Sequence, residues 1–192
     1  MARGNRGVLG QRHTWDSATQ SVVLARLGPR PPLHFFTPAE EATARPLLDQ
    51  LLAQWGEPRV PVLESIDARL TEGVTDGWRF ADMPEDGAAW RASLAALDAD
   101  ASLRHEGRGY AGLTCGDQYR LLRHVQDLGS AGQDWYGLSA AHIWTLWTRY
   151  ACAAYYAHPG TWDEIGFGGP AHPRGYPRLG RDARDPWEEP HP

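Results

Sequence analysis

The sequence predicts an all-α protein: a compact bundle of about five helices followed by an extended C-terminal arm rich in glycine, proline and aromatic residues. Three observations lead there. Apolar residues recur at spacings of three and four through the middle of the chain, the period of a helix with one buried face. No stretch alternates apolar and polar residues as a half-buried strand does. Residues 155–176, Tyr-Tyr-Ala-His-Pro-Gly-Thr-Trp-Asp-Glu-Ile-Gly-Phe-Gly-Gly-Pro-Ala-His-Pro-Arg-Gly-Tyr, follow neither period. They mix turn-forming glycines and prolines with rings that disordered linkers normally lack.

Taken in order, residues 1–33 are rich in Gly, Arg and Pro around one short apolar patch, Val22, Val23 and Leu24, and read as a flexible arm ended by Pro29, Pro31 and Pro32. A helical domain over residues 34–156 follows. Its first helix opens at Thr37, an N-cap, with Pro38 where a missing N–H costs nothing and Glu40 completing a capping box. Ala44, Leu47, Leu48, Leu51, Leu52 and Trp55 form its apolar face. Pro46 falls inside the pattern and predicts a kink or a restart, because an internal proline costs about 3 kcal/mol. Gly56 and Pro58 end it, and Pro61 opens a shorter helix marked by Val62, Leu63, Ile66 and Leu70 and closed at Gly73.

The stretch from Val74 to Pro84 reads as a loop packed down by Trp78 and Phe80. Glu85 and Asp86 then start a helix whose face is Trp90, Leu94, Leu97 and Ala101, with Arg104 and His105 in a last turn that suits positive charge. Gly107 and Gly109 follow it. Thr114 caps the fourth helix, with Asp117 three residues on and Leu121, Leu122, Val125 and Leu128 before Gly129. The fifth runs from near Ser139 to about Tyr156; Ile143, Leu146, Trp147, Tyr150 and Ala154 form one face, and Trp144, Ala151 and Tyr155 a second. A helix apolar over so much of its circumference is central, or shared with a partner. Residues 157–180 then read as an ordered docking arm and residues 181–192 as a mobile tail.

Bulk properties narrow the function. A chain of 192 residues is long enough to bury a core without staples. A net charge of -5 offers no basic stripe for nucleic acid. All 19 cationic side chains are Arg, a composition expected of a GC-rich coding sequence. Two cysteines, Cys115 and Cys152, rule out a disulfide scaffold and match no zinc or haem spacing, and whether they pair stays open. No segment approaches the roughly 20 apolar residues of a membrane helix. Arg3 and Arg6 are separated and precede no continuous apolar core, so no signal peptide is read as the sequence stands. The expectation is a cytoplasmic protein, periplasmic only if a signal-bearing partner exports it or translation starts elsewhere.

Candidate chemistry is sparse. His158, Asp163, Glu164 and His172, with His142, are suitable ligand types for a divalent ion, although no pair lies one helical turn apart and both loop histidines precede proline. They carry an alternative reading, a stand-alone metal-binding enzyme or sensor. Gly166 to Ala171 matches G-x-G-x-x-A by letter, but a helix precedes it where a strand is needed, and Pro170 and Pro173 block the helix that would hold pyrophosphate. A nucleophile elbow is absent, and neither cysteine sits in a catalytic-thiol signature. The residues favour binding or assembly over chemistry.

The segment Phe35-Phe36-Thr37-Pro38-Ala39-Glu40-Glu41, the helical Trp90-Arg91-Ala92-Ser93-Leu94-Ala95-Ala96-Leu97-Asp98, and the closing Tyr155-Tyr156-Ala157-His158-Pro159, Gly169-Pro170 and Arg174-Gly175-Tyr176 resemble the gluconate 2-dehydrogenase subunit 3 family. The resemblance spans roughly residues 35–179. It implies a small companion subunit, without catalysis or cofactor of its own, that binds, stabilises and helps mature a large FAD-dependent dehydrogenase of the glucose-methanol-choline type. The partner would oxidise sugars or sugar acids such as gluconate, often with a cytochrome c subunit to pass electrons on. On this reading the arm docks through the rings of Tyr155, Tyr156, Trp162, Phe167 and Tyr176, with His158 beside them and Arg174 as a directional contact. Gly168, Gly169 and Gly175 allow close backbone approach, and Pro170 limits the ordering entropy.

Overall fold

A computed structural model describes residues 7–29, 31–173 and 175. These fall into two compact units, one built from the middle of the chain up to Ala154 and one from its two ends, up to Pro29 and from Tyr155 on. The fold is mostly helical, as expected.

In the middle unit, α2 (Pro38–Leu52) packs against α3 (Val62–Thr71), α4 (Asp86–Arg104) and α5 (Cys115–Ser130). The final helix, α6 (Ala140–Ala157), begins in this unit and runs into the other. The capping box forms: Thr37 Oγ1 accepts the Glu40 N–H, and Glu40 Oε2 accepts the Thr37 N–H at 2.8 Å. Pro46 does not restart the helix, which is unbroken through it. Ala42, whose carbonyl loses its intrahelical donor there, is exposed, so water can take the donor's place. The helix stops at Leu52 because Ala53 turns left-handed, with φ 52°. Trp55 is thereby carried off the apolar face and is 56% exposed, against the expectation that it is core.

The core is the predicted one, with Ala44, Leu47, Ile66, Trp90, Leu94, Leu97, Val125, Ile143, Trp147 and Tyr150 all essentially inaccessible. Several of its polar atoms are paired between elements, although the Trp90 indole N–H and the Tyr110 hydroxyl are buried without a hydrogen-bond partner. Trp147 Nε1 donates to Ser93 Oγ at 2.9 Å, and Trp135 Nε1 donates to Asp100, which also receives Arg104. Asp67 on α3 is buried and accepts the backbone N–H groups of His34, Phe35 and Phe36, which fixes the approach to α2. Gly129 lets α5 meet α6: a Cβ there would lie 2.9 Å from the Ala141 backbone.

Two elements differ from the sequence reading. Between α5 and α6 a hairpin pairs β1 (Asp134–Trp135) with β2 (Leu138–Ser139), antiparallel, Trp135 opposite Leu138. Its loop residues Tyr136 and Gly137 both have positive φ, the geometry of a tight two-residue turn. Strands of two residues are too short to show alternation. In the end unit, the region read as a flexible N-terminal arm forms a 3₁₀ helix (Val8–Thr14) and then α1 (Ser17–Ala25). Asp16 caps α1 by accepting the Thr19 N–H at 2.7 Å, and Val23 is buried. Cys115 and Cys152 are both free and exposed, so the open question of their pairing is answered.

Candidate functional site

The arm closes on the end of α6 instead of extending away from it. His158 ends the helix and turns its ring back, so that Nδ1 accepts the Gly160 N–H at 3.1 Å. Pro159–Thr161 form a short 3₁₀ helix, and the Thr161 hydroxyl donates to the Tyr155 carbonyl at 3.0 Å. Trp162 Nε1 donates to the Tyr156 carbonyl at 3.1 Å. Phe167 folds back edge-on to Trp162, ring centroids 5.2 Å apart, its N–H donating to the Trp162 carbonyl.

This geometry separates the predicted docking residues. Trp162 is 5% exposed and Gly169 is buried, so neither is free for a partner. They pack beneath the N-terminal segment, where Val8, Trp15 and Val23 complete a small apolar cluster around Trp162. Tyr156 and Phe167 remain outward at 47% and 40% exposure, joined by Ile165 at 51%. Tyr155, His158, Gly168 and Pro170 are half-buried, and Gly175 is exposed. Arg174 and Tyr176 lie outside the described residues.

Electrostatics within this unit are local. Burial, with the nearby Arg26 charge, lowers the His158 pKa and favours the neutral ring that its acceptor role requires. Burial and the Glu164 carboxylate raise the Tyr155 pKa, and its hydroxyl donates to Glu164 Oε2 at 3.1 Å. Hydrogen bonds from Thr19, then the His172 ring, hold the Asp16 carboxyl below its usual range.

The proposed metal ligands are not gathered. Asp163 accepts the Val8 N–H, Glu164 accepts from Tyr155, His172 meets Asp16 at 2.8 Å, and His158 holds Gly160. His142 lies 2.9 Å from Asp82 and stacks on Phe80 at 3.7 Å. Among the described residues no three His, Cys, Asp or Glu side chains stand close enough to share an ion.

The middle unit carries a second feature that periodicity alone does not show. An open groove of about 710 Å³ runs between the loop after α3 and the start of α4, walled by Phe35, Leu70, Val74, Trp78 and Tyr150. Trp78, expected to pack down, is 51% exposed there. Of its lining residues, Tyr150 donates to Asp86 at 2.6 Å; Arg149 in turn bridges Asp86 and Asp76, and Arg69 also reaches Asp76. Burial and the Asp86 charge push the Tyr150 phenol up to about 12, so it stays a proton donor at neutral pH. Burial is the first cause of a lowered Arg149 pKa, followed by Arg69.

Among the described residues, the fold is mostly helical and an aromatic arm folds back on the end of α6. The family model for gluconate 2-dehydrogenase subunit 3 matches residues 38–169, and the chain belongs to that family, whose name makes it a subunit of a multi-subunit dehydrogenase. The match takes in the helical unit and the arm as far as Gly169; the Phe35–Phe36 opening and the Arg174–Tyr176 close fall outside it. Neither the curated proteins nor the solved structures give a match.

Proposed function

We propose that this chain is a non-catalytic small subunit that binds, stabilises and helps mature an FAD-dependent dehydrogenase of the glucose-methanol-choline type acting on sugars or sugar acids such as gluconate. FAD sits in the large subunit, and a cytochrome c subunit is a further candidate member of the complex. The observation that carries this reading is the family match across most of the helical unit and the arm. The surface chemistry is in keeping with it: Tyr156, Ile165 and Phe167 leave apolar area in water on a short stretch of chain, and such area is recovered at about 25 cal/mol per Å² when another protein covers it.

The test is co-expression with the neighbouring genes, capture through a tag on this chain, and a visible spectrum of what is retained. A large chain with a flavin spectrum that reduces a dye on addition of a sugar or sugar acid is the expected result. Ile165→Ser and Phe167→Ser should reduce its recovery while leaving the helical circular dichroism unchanged. Capture of this chain alone, with the flavoprotein folded and active in the unbound fraction, would overturn the proposal.

A further inference from the structure

The two ends of the chain meet at a small interface that neither end could sustain alone. α1 is nine residues long, below the length at which an isolated helix is stable in water, and Val23 is its one buried residue. The arm beyond Thr161 has no regular secondary structure among the described residues, so its order must come from what it touches. Three polar links tie them at three separate points. The Val8 N–H donates to Asp163 Oδ1 at 2.8 Å, Asp16 Oδ2 meets His172 Nε2 at 2.8 Å, and the Arg26 guanidinium donates to the Ala157 carbonyl at 2.9 Å, capping the end of α6. Between them Val8, Trp15, Val23 and Trp162 form one apolar cluster. The fit is closest at Gly169, where φ is +82° and a Cβ would lie 2.5 Å from Val8 Cγ1. A bare backbone at that point is what admits the valine.

We propose that the arm surface around Trp162 and Gly169 is a receptor for the chain's own N-terminal segment, residues 7–26, and that the seated segment holds the arm in the shape another subunit meets. The second clause rests on the accessory-subunit reading; the first does not. The surface recognises a β-branched side chain against bare backbone, an indole ring, a peptide N–H at a carboxylate, and a guanidinium at a helix C-terminus. The segment supplies all four. Tyr156, Ile165 and Phe167 then stay outward because Trp162 is engaged from the other side.

The experiment places a protease recognition sequence between Gly28 and Pro29, both exposed, in the full-length chain. After cleavage the sample is passed over a size-exclusion column under native conditions. The expected result is that the N-terminal fragment co-elutes with the remainder of the wild-type chain. In Gly169→Val, where side-chain atoms replace the space of Val8 and the left-handed φ is strained, retention should fall by at least about tenfold, which needs only about 1.4 kcal/mol. Val8→Asp, a change on the opposite side of the interface, should do the same, and far-UV circular dichroism of the uncut variants checks that the helical unit is intact. Release of the wild-type fragment on cutting, or retention by both variants equal to wild type, would overturn the receptor assignment. Captures of the same uncut variants with the flavoprotein address the second clause. Lower recovery supports it, and undiminished recovery from variants that shed the segment refutes it. Failure of the wild-type chain to capture the flavoprotein refutes the accessory-subunit reading and leaves the receptor assignment standing.

Discussion

Replacing Asp67 tests whether one buried carboxylate sets the entry to the helical unit. Asp67 is 2% exposed and accepts the N–H groups of His34 at 2.7 Å and of Phe35 and Phe36 at 2.9 Å each. In Asp67→Ala all three donors lose a charged acceptor, a bond class worth about 1.5–3 kcal/mol. The Phe36 N–H is buried and stays unpaired, whereas the other two are part-buried and can recover water. Removing the desolvated charge offsets some of the loss, so the net cost is about 3–4 kcal/mol, set against typical total stabilities of about 5–15. At roughly 2–4 °C per kcal/mol the melting temperature should fall by about 10 °C. Asp67→Asn keeps one oxygen for Phe35 and Phe36 but turns an NH₂ towards the third donor, and should cost about half as much. Urea titration followed by far-UV circular dichroism reads both. A loss under about 1 kcal/mol for alanine, or equal losses for alanine and asparagine, would refute the assignment of Asp67 as the organiser of residues 34–36.

Thr37→Ala removes the acceptor for the Glu40 N–H and should cost about 1 kcal/mol by the same titration. Gly129→Ala pits two terms against each other. Alanine gains about 1 kcal/mol of helix propensity, but its Cβ would lie 2.9 Å from backbone atoms of Ala141, which cannot yield as a side-chain tip can. The steric term, about 1–3 kcal/mol, should win, and a stabilised variant would show that α5 and α6 have slack. For His158 the folded pKa lies below the ordinary 6.5. Its contribution is therefore complete above the unfolded value and is lost as pH falls through the folded one, when Nδ1 takes a proton and can no longer accept from Gly160. Protection of the Gly160 amide, its exchange rate measured against the intrinsic rate at the same pH, should be lost as pH falls through the lowered His158 pKa and should stay constant in His158→Asn, whose side-chain oxygen does not titrate in this range; pH-independent protection in wild type would contradict the acceptor role.

The helices of the middle unit were legible because each is announced locally. Thr37 and Thr114 both cap as their neighbours predict, and the spacing of Trp90, Leu94, Leu97 and Ala101 is the buried face of α4. The misses share a cause, which is that local signals say nothing about pairing at long range. Asp67 reads as one more polar residue on an amphipathic helix until the chain from His34 to Phe36 is laid against it. Trp55 reads as core because its spacing fits α2, yet the left-handed turn at Ala53 ends the helix first. The hairpin at Trp135 and Leu138 holds too few residues for any period. For α1, Val22 to Leu24 was a visible apolar patch, whereas the cap at Asp16 went unread. What made a helix of them was Trp162, more than a hundred residues away.

That same distance explains why the arm was half legible. Its composition demanded order, since rings such as Trp162 and Phe167 cost too much in water to be left on a linker. Composition alone could not say which protein surface supplied the order. A tryptophan that must be buried is satisfied equally by a neighbouring subunit and by another part of its own chain, and the hydrophobic term is the same in both cases. Geometry separates the two here. Trp162 has the N-terminal segment packed on it and its indole N–H spent on Tyr156, whereas Tyr156, Ile165 and Phe167 have neither their rings nor their aliphatic surface covered to the same degree. Truncation of Trp162 should therefore lower the stability of the end unit itself. Truncation of Ile165 should leave that stability nearly unchanged and be felt only when the second subunit is present, whereas Phe167, edge-on to Trp162, should show a small loss of its own, about 0.5–1.5 kcal/mol. Measured on the isolated chain and on the captured complex, that difference distinguishes a residue that builds the docking surface from one that is the surface.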